Sequence, residues 1–146
     1  MNVESALELI DGGVLYGSAN QLQLSIDRNL IGTPGNKLYT YSNAEVMLAG
    51  EVVRSATQMD PHSYLDSKIS SVIGFSGEWS KHSLSNIMTY CCIDSTPKDI
   101  ARFGLLFSRK GEWNGTQVLP ESWVLQSTTK ALSGEYGFLW CRDGNH

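Results

Sequence analysis

An α+β chain, mostly helical and with its strands gathered toward the C-terminus, is what three features of the sequence predict. Helix-start signals recur at Ser42, Asp60-Pro61 and Thr96-Pro97, each followed by apolar residues at helical spacing. The turn dipeptide Asn114-Gly115 lies between Trp113 and Val118, and the aromatic run Tyr136-Gly137-Phe138-Leu139-Trp140-Cys141 reads as a strand. With 146 residues, 41% of them hydrophobic and 18% charged, the chain has the length and composition of a globular protein with a core.

In chain order, the first forty residues are rich in Gly, Asn and Asp and read mostly as loop, with one helix over 3–10 ended by Gly12-Gly13. Ser42-Asn43-Ala44-Glu45 has the S-x-x-E form in which hydroxyl and carboxylate cap a first helical turn reciprocally. Val46, Ala49, Val52, Val53 and Ala56 follow on one stripe, so a helix is predicted over 43–57. Asp60 as N-cap and Pro61 at the first helical position open a second helix. Its stripe is Tyr64, Leu65, Ile69, Val72 and Ile73, and Gly74 ends it. Thr96 caps a third, with Asp99 in the first turn where the helix dipole favours an anion, a buried face of Ile100, Phe103, Leu106 and Phe107, and Gly111 as the stop. A short hairpin around Asn114-Gly115 and a short helix opened by Pro120-Glu121 through Trp123, Val124 and Leu125 come next. Asp143-Gly144 looks like a hairpin turn, yet no second strand follows it before His146, which predicts that the chain is part of a longer domain.

A net charge of -4 without any basic cluster argues against nucleic acid and anionic membrane as partners, and no apolar run reaches the roughly 18 residues needed for membrane insertion. Cys91, Cys92 and Cys141 form neither a disulfide framework nor a C-x-x-C motif, and read as thiols that help fill a core. His62 and His82 lack metal-ligand spacing and are expected at exposed positions or helix ends; no metal or cofactor is expected. Glu4, Glu8 and Asp11 interrupt any secretory leader in residues 1–20, while a longer form leaves export open. Asp99-Arg102 reads as an ion pair or as a capping carboxylate tied to a loop. Trp113, Trp123 and Trp140 read as packing aromatics, and Asn114-Gly115-Thr116, though a glycosylation sequon, is first of all a turn.

The candidate site residues are Tyr41 and Asn43. Tyr41-Ser42-Asn43 falls where a loop meets a capped helix, so the partial positive charge of the helix N-terminus lies beside a phenol suited to proton transfer. Asn43 offers a donor and an acceptor for a substrate amide or a lysine. Standing alone, a Y-x-N triplet reads first as a packing tyrosine and a capping asparagine.

In its wider setting, Pro34-Gly35, Tyr41-Ser42-Asn43 and the following helix segment Ala49-Gly50-Glu51-Val52-Val53 resemble the P-G-x-x-x-x-Y-S-N and L-x-G stretch of the serine β-lactamase-like hydrolases. That superfamily contains class C β-lactamases, D-alanyl-D-alanine carboxypeptidases, family VIII esterases and 6-aminohexanoate-dimer hydrolases. The matches continue in order through Ala56-Thr57, Tyr64-Leu65, Lys68-Ile69, the stretch from Cys91 to Gly104, Gly111 with Trp113-Asn114-Gly115, Val118 to Trp123, and Tyr136 to Trp140. Together they cover about residues 30–141. The resemblance implies a β-lactamase/transpeptidase-like fold, here a partial domain (1–146) dominated by the helical lobe with a C-terminal strand of the sheet. It implies acyl transfer from a small-molecule ester or amide, with Tyr41 sharing proton transfer and Asn43 orienting substrate.

Five residues separate Gly35 from Tyr41 where the family has four, and no S-x-x-K nucleophile motif precedes Tyr41. No K-[ST]-G or H-x-G follows it. The strings Ser95-Thr96-Pro97-Lys98 and Ser127-Thr128-Thr129-Lys130 stand on the wrong side of Tyr41 for the family order. The chain is therefore expected to be part of a serine hydrolase and inactive in isolation. The alternative is a non-catalytic binding or interaction module of the same fold, and a third reading is a hydrolase using Ser95 or Ser127.

Overall fold

The computed structural model describes residues 13–28, 41–81, 84, 86–129 and 136–141. The expected helix over 3–10, Pro34-Gly35, His82, Lys130, Asp143-Gly144 and His146 lie outside the described residues. The chain divides into two compact units: the described residues of the first fall in 13–28, 41–66 and 77–94, and those of the second in 67–76, 95–129 and 136–141.

In the first unit a single turn, α1 (Leu15–Gly17), and α2 (Gln21–Ile26) precede the long α3 (Asn43–Thr57) and the short α4 (Pro61–Leu65). α2 falls where the sequence reads as loop. The Asn20 side chain accepts from Gln23 N at 3.0 Å and starts the helix, but the alternation Gln21-Leu22-Gln23-Leu24 has period two and hides it. α3 has the bounds its capping signals predict, and Ser42 Oγ accepts from Glu45 N at 3.3 Å.

The buried face of α3 differs from the predicted one. Ala44, Met47 and Gly50 are inside, whereas Val52 is 66% exposed and Val53, Ala49 and Ala56 are exposed as well. Close approach decides this. A Cβ on Gly50 would lie 2.6 Å from Thr89 Oγ1, and the Thr89 hydroxyl donates to Val46 O at 2.8 Å, so α3 turns Gly50 toward the segment that carries Thr89. Leu15, Ile87 and Met88 complete the buried apolar set.

β1 (Gly77–Trp79) pairs with β2 (Ile93–Ser95), and Lys81 and Ile87 form an isolated antiparallel bridge. Between them Cys91 and Cys92 are joined to each other in a disulfide, correcting the expectation of core thiols; Cys91 is half-buried, Cys92 exposed, and the free Cys141 exposed.

The Asp60-Pro61 cap forms as expected, with Asp60 Oδ1 accepting from His62 N and Ser63 N at 3.1 Å each. The helix then widens into a π turn, Asp66–Ser70, before α5 (Ser71–Ile73). A π turn holds one residue more than an α turn and shifts the stripe beyond it. Ile73 is buried accordingly, but Val72, predicted to share its face, is 46% exposed. Gly74, at φ 68, ends the helix, and Phe75 N donates back to Ser70 O at 3.0 Å.

In the second unit α6 (Pro97–Ser108) starts at its predicted cap, Thr96 Oγ1 accepting from Asp99 N at 3.2 Å and donating to Asp99 Oδ2 at 2.6 Å. Arg102 donates to Asp99 and, at 2.8 Å, to Gly74 O, so the ion pair ties the helix to a loop as the sequence reading allows. This places Asp99 inside and leaves Ile100, predicted buried, half exposed. Leu106 is fully buried, and Phe103 and Phe107 pack on Trp140 with ring centroids 6.3 and 4.5 Å away.

The hairpin forms from β3 (Glu112–Trp113) and β4 (Thr116–Gln117), antiparallel, with Trp113 opposite Thr116. Asn114 and Gly115 have φ 50 and 80, as a two-residue turn with both central residues left-handed requires. α7 (Glu121–Thr128) follows Pro120, burying Val124 and leaving Leu125 exposed. The predicted strand over 136–141 is instead a turn: Gly137 N donates to Trp140 O at 2.9 Å, Tyr136 and Cys141 share only an isolated bridge, and Leu139 has φ 62. Phe138 N, which a strand would use in a ladder, donates to Ser127 O at 2.7 Å. Trp123 packs on Phe138 at 5.7 Å, and Arg109 lies 5.9 Å from the Trp113 ring centre, so both are packing aromatics.

Replacing Gly50 by Ala in an exposed helix would stabilise by about 1 kcal/mol. Here the methyl meets a hydrogen-bonded, β-branched Thr89, and urea unfolding of Gly50→Ala is expected to show a loss of about 1–3 kcal/mol. The Thr96 hydroxyl above all, then Arg102, hold the Asp99 carboxyl below the usual carboxylate range. Its stabilisation is therefore full above the unfolded value of about 4 and fades as pH falls through the lower folded value. Asp99→Asn is expected to lower stability at pH 7 and to flatten its decline between pH 5 and pH 3, read by urea unfolding across about that range.

Candidate functional site

The functional candidates from sequence fall at the start of α3, inside the first unit. Ser42 is its N-cap, Asn43 its first residue, and Tyr41 stands one position ahead in the approaching chain. Tyr41 is 57% exposed, so its ring is not sealed among packed side chains; Asn43 is half-buried. α3 is fifteen residues long, and its first turn presents backbone N–H groups and the positive end of the helix dipole beside this pair.

A residue that the sequence reading missed fixes this corner. Arg28 Nη1 donates to Ser42 Oγ at 2.8 Å, and Nη2 lies 3.5 Å from Glu45 Oε1. The Arg28 side chain is only 12% exposed, whereas Glu45 is 67% exposed. The ion pair therefore contributes little, and the shorter charge-assisted bond to the capping hydroxyl does the positioning. Ser42 follows Arg28 by fourteen positions, and no motif links them.

A cavity of about 70 Å³ opens elsewhere in the same unit, between α3 and the Ile87–Thr89 segment, with Leu22, Met47, Gly50, Glu51, Arg54 and Asp60 in its wall. Tyr41 and Asn43 do not line it. Pockets for small molecules run about 300–1,000 Å³. Its two carboxylates are also engaged. Glu51 accepts from Arg54 at 2.7 and 2.5 Å, which holds its carboxyl below the usual range. Asp60 is spent on capping and accepts from Ser63 Oγ at 2.5 Å, which lowers it too. The cavity has the character of a packing gap with a polar rim.

Neither serine of the two downstream S-x-x-K strings is poised as a nucleophile. Ser95 Oγ donates to Ser76 O at 2.5 Å, and Ser127, 2% exposed, donates to Val124 O at 3.1 Å. Among the described residues no cluster of His, Cys, Asp and Glu could hold a metal ion; His62 Nε2 lies 3.7 Å from Asp66 Oδ2. No described helix is long and apolar enough to cross a membrane.

Among solved structures the chain is similar in fold to one described as "Putative 6-aminohexanoate-dimer hydrolase from Bacillus anthracis", with a TM-score of 0.70, 18% sequence identity, and 92% of this chain and 37% of that chain covered. The likeness at this identity is one of fold, mixed helix with small sheets, and the chain spans little more than a third of that protein's length. No family model matches the sequence, and no curated protein matches it.

If Arg28 and the Ser42 cap act through one oxygen, their losses should not add. Ser42→Ala is expected to cost about 0.5–2 kcal/mol and Arg28→Met about 1 kcal/mol. The double variant should fall short of the sum by about 0.5 kcal/mol or more in a urea-unfolding cycle.

Proposed function

We propose that these residues are the helical part of a serine hydrolase with a β-lactamase-like fold, acting on ester or amide carbonyls through an acyl-enzyme. The observation that carries the reading is the exposed Tyr41 phenol one residue ahead of the Ser42 cap, with Asn43 opening the helix behind it. The ordered motif series over about residues 30–141 and the fold likeness to the Bacillus anthracis protein support it. That protein's name points to linear amides of the aminohexanoate type as one substrate class, with β-lactams as another from the resemblance.

In this reading the serine hydroxyl of an S-x-x-K motif, supplied from outside these residues, attacks the carbonyl carbon. The serine proton passes to the lysine and Tyr41, and the tetrahedral intermediate collapses as the leaving group takes a proton back from Tyr41. Water then cleaves the acyl-enzyme by the same route reversed. Asn43 holds the substrate amide, and Arg28, by fixing Ser42, holds the turn from which Tyr41 projects. Residues 1–146 alone then lack the covalent step, because no S-x-x-K precedes Tyr41 within them. That absence is also what favours the second reading, a binding module that keeps the lobe without the chemistry.

The test begins with the reading frame on either side of these residues and continues with fluorophosphonate labelling of the whole encoded protein. Label on a serine of an S-x-x-K upstream of Tyr41, with acylation slowed by about 100-fold or more in Tyr41→Phe, is expected. Label on Ser95 or Ser127 overturns the assignment of the nucleophile, and the absence of both motif and label replaces the hydrolase with the binding module.

A further inference from the structure

We propose that the Cys91–Cys92 disulfide is a redox-labile clamp that holds the turn over residues 88–92 against α3. The inference starts from adjacency. The two Cα atoms stand 3.7 Å apart, as neighbours must, whereas disulfides between distant residues span about 4.4–6.8 Å. Closing the bond makes a small ring around the 91–92 peptide group, and Cys92 is held at φ 70, a region that side chains other than glycine's seldom occupy. Opening the ring removes that restraint.

This turn is tied to the strand before it, and through Thr89 it contacts α3. Cys91 N donates to Met88 O at 3.1 Å, Met88 N to Ser80 O at 3.1 Å, Ser80 N to Cys92 O at 2.9 Å, and the Trp79 indole to Cys91 O at 2.7 Å. Thr89, inside the same turn, donates its hydroxyl to Val46 O and fills the space left by Gly50. Cys92 is exposed, so an attacking thiolate reaches the pair from its side. A dithiol of the dithiothreitol or thioredoxin class supplies the electrons. One of its thiolates attacks a cysteine sulfur, which releases the other cysteine as a thiol and gives a mixed disulfide; its second thiolate then attacks its own first sulfur and displaces the protein cysteine. Two protein thiols then form and the dithiol leaves as its own disulfide. The clamp stands independently of the proposed hydrolase chemistry.

Two measurements on the purified chain test it. Thiol titration of the denatured, non-reduced protein should find one reactive thiol, that of Cys141, and three after dithiol treatment. Hydrogen exchange at the Ser80, Met88 and Cys91 amides should then speed up about tenfold or more on reduction, with the α6 amides as internal reference. The Cys91→Ser/Cys92→Ser double variant should exchange at the reduced rate with or without dithiol. Should that variant not fold, a reduction and reoxidation cycle of the natural chain gives the same comparison. Three reactive thiols before reduction, or equal exchange at those amides in both redox states, would overturn the proposal.

Discussion

The contact of Thr89 with the flat side of α3 is the constraint on which the first unit depends. A glycine at position 50 leaves room for a threonine side chain, and that side chain anchors itself by a hydrogen bond to Val46 O one turn earlier. Backbone and side chain meet closely enough that any larger residue at 50 must push them apart. With α3 seated there, its capped first turn lies just ahead of Val46, and the Arg28 bond to Ser42 holds that turn in place. The middle of the helix is thus fixed by packing and its first turn by a charge-assisted hydrogen bond.

What the sequence discloses follows from how local each cause is. Ser42, Asp60 and Thr96 each bond to backbone N–H groups two or three residues away, so their caps are legible from the string alone, and all of them form. The Asn114-Gly115 turn is legible for the same reason. The buried faces are less so. Val52 and Ile100 look like core residues at helical spacing, yet the inward positions go to Gly50, admitted by its small size, and to Asp99, pinned by Thr96 and Arg102. Val72 lies beyond a π turn whose extra residue no periodicity announces. The run over 136–141 has strand composition, but a strand needs a ladder, and Phe138 N finds its acceptor in Ser127 O.

The candidate site shows the same division. That Tyr41 and Asn43 flank a helix cap could be read directly, because the cap signal is local. Arg28 could not, since its link to Ser42 spans fourteen residues and depends on how α2 and α3 lie together within the unit. Nor could the Cys91–Cys92 bond be foreseen from spacing, for adjacent cysteines are more often separate thiols. The chemistry proposed for Tyr41 draws on an order of motifs, and the structure adds to it an exposed phenol on a firmly held turn.

The most direct check on the seating of α3 is an NMR measurement of proximity between the Thr89 γ-methyl and the Gly50 α protons. Strong nuclear Overhauser effects between them, accompanied by a slowly exchanging Thr89 hydroxyl proton, are the expected result. A Thr89 methyl that shows no such effect to Gly50, with its hydroxyl in fast exchange with water, would contradict the contact and with it the placement of the Tyr41-bearing turn.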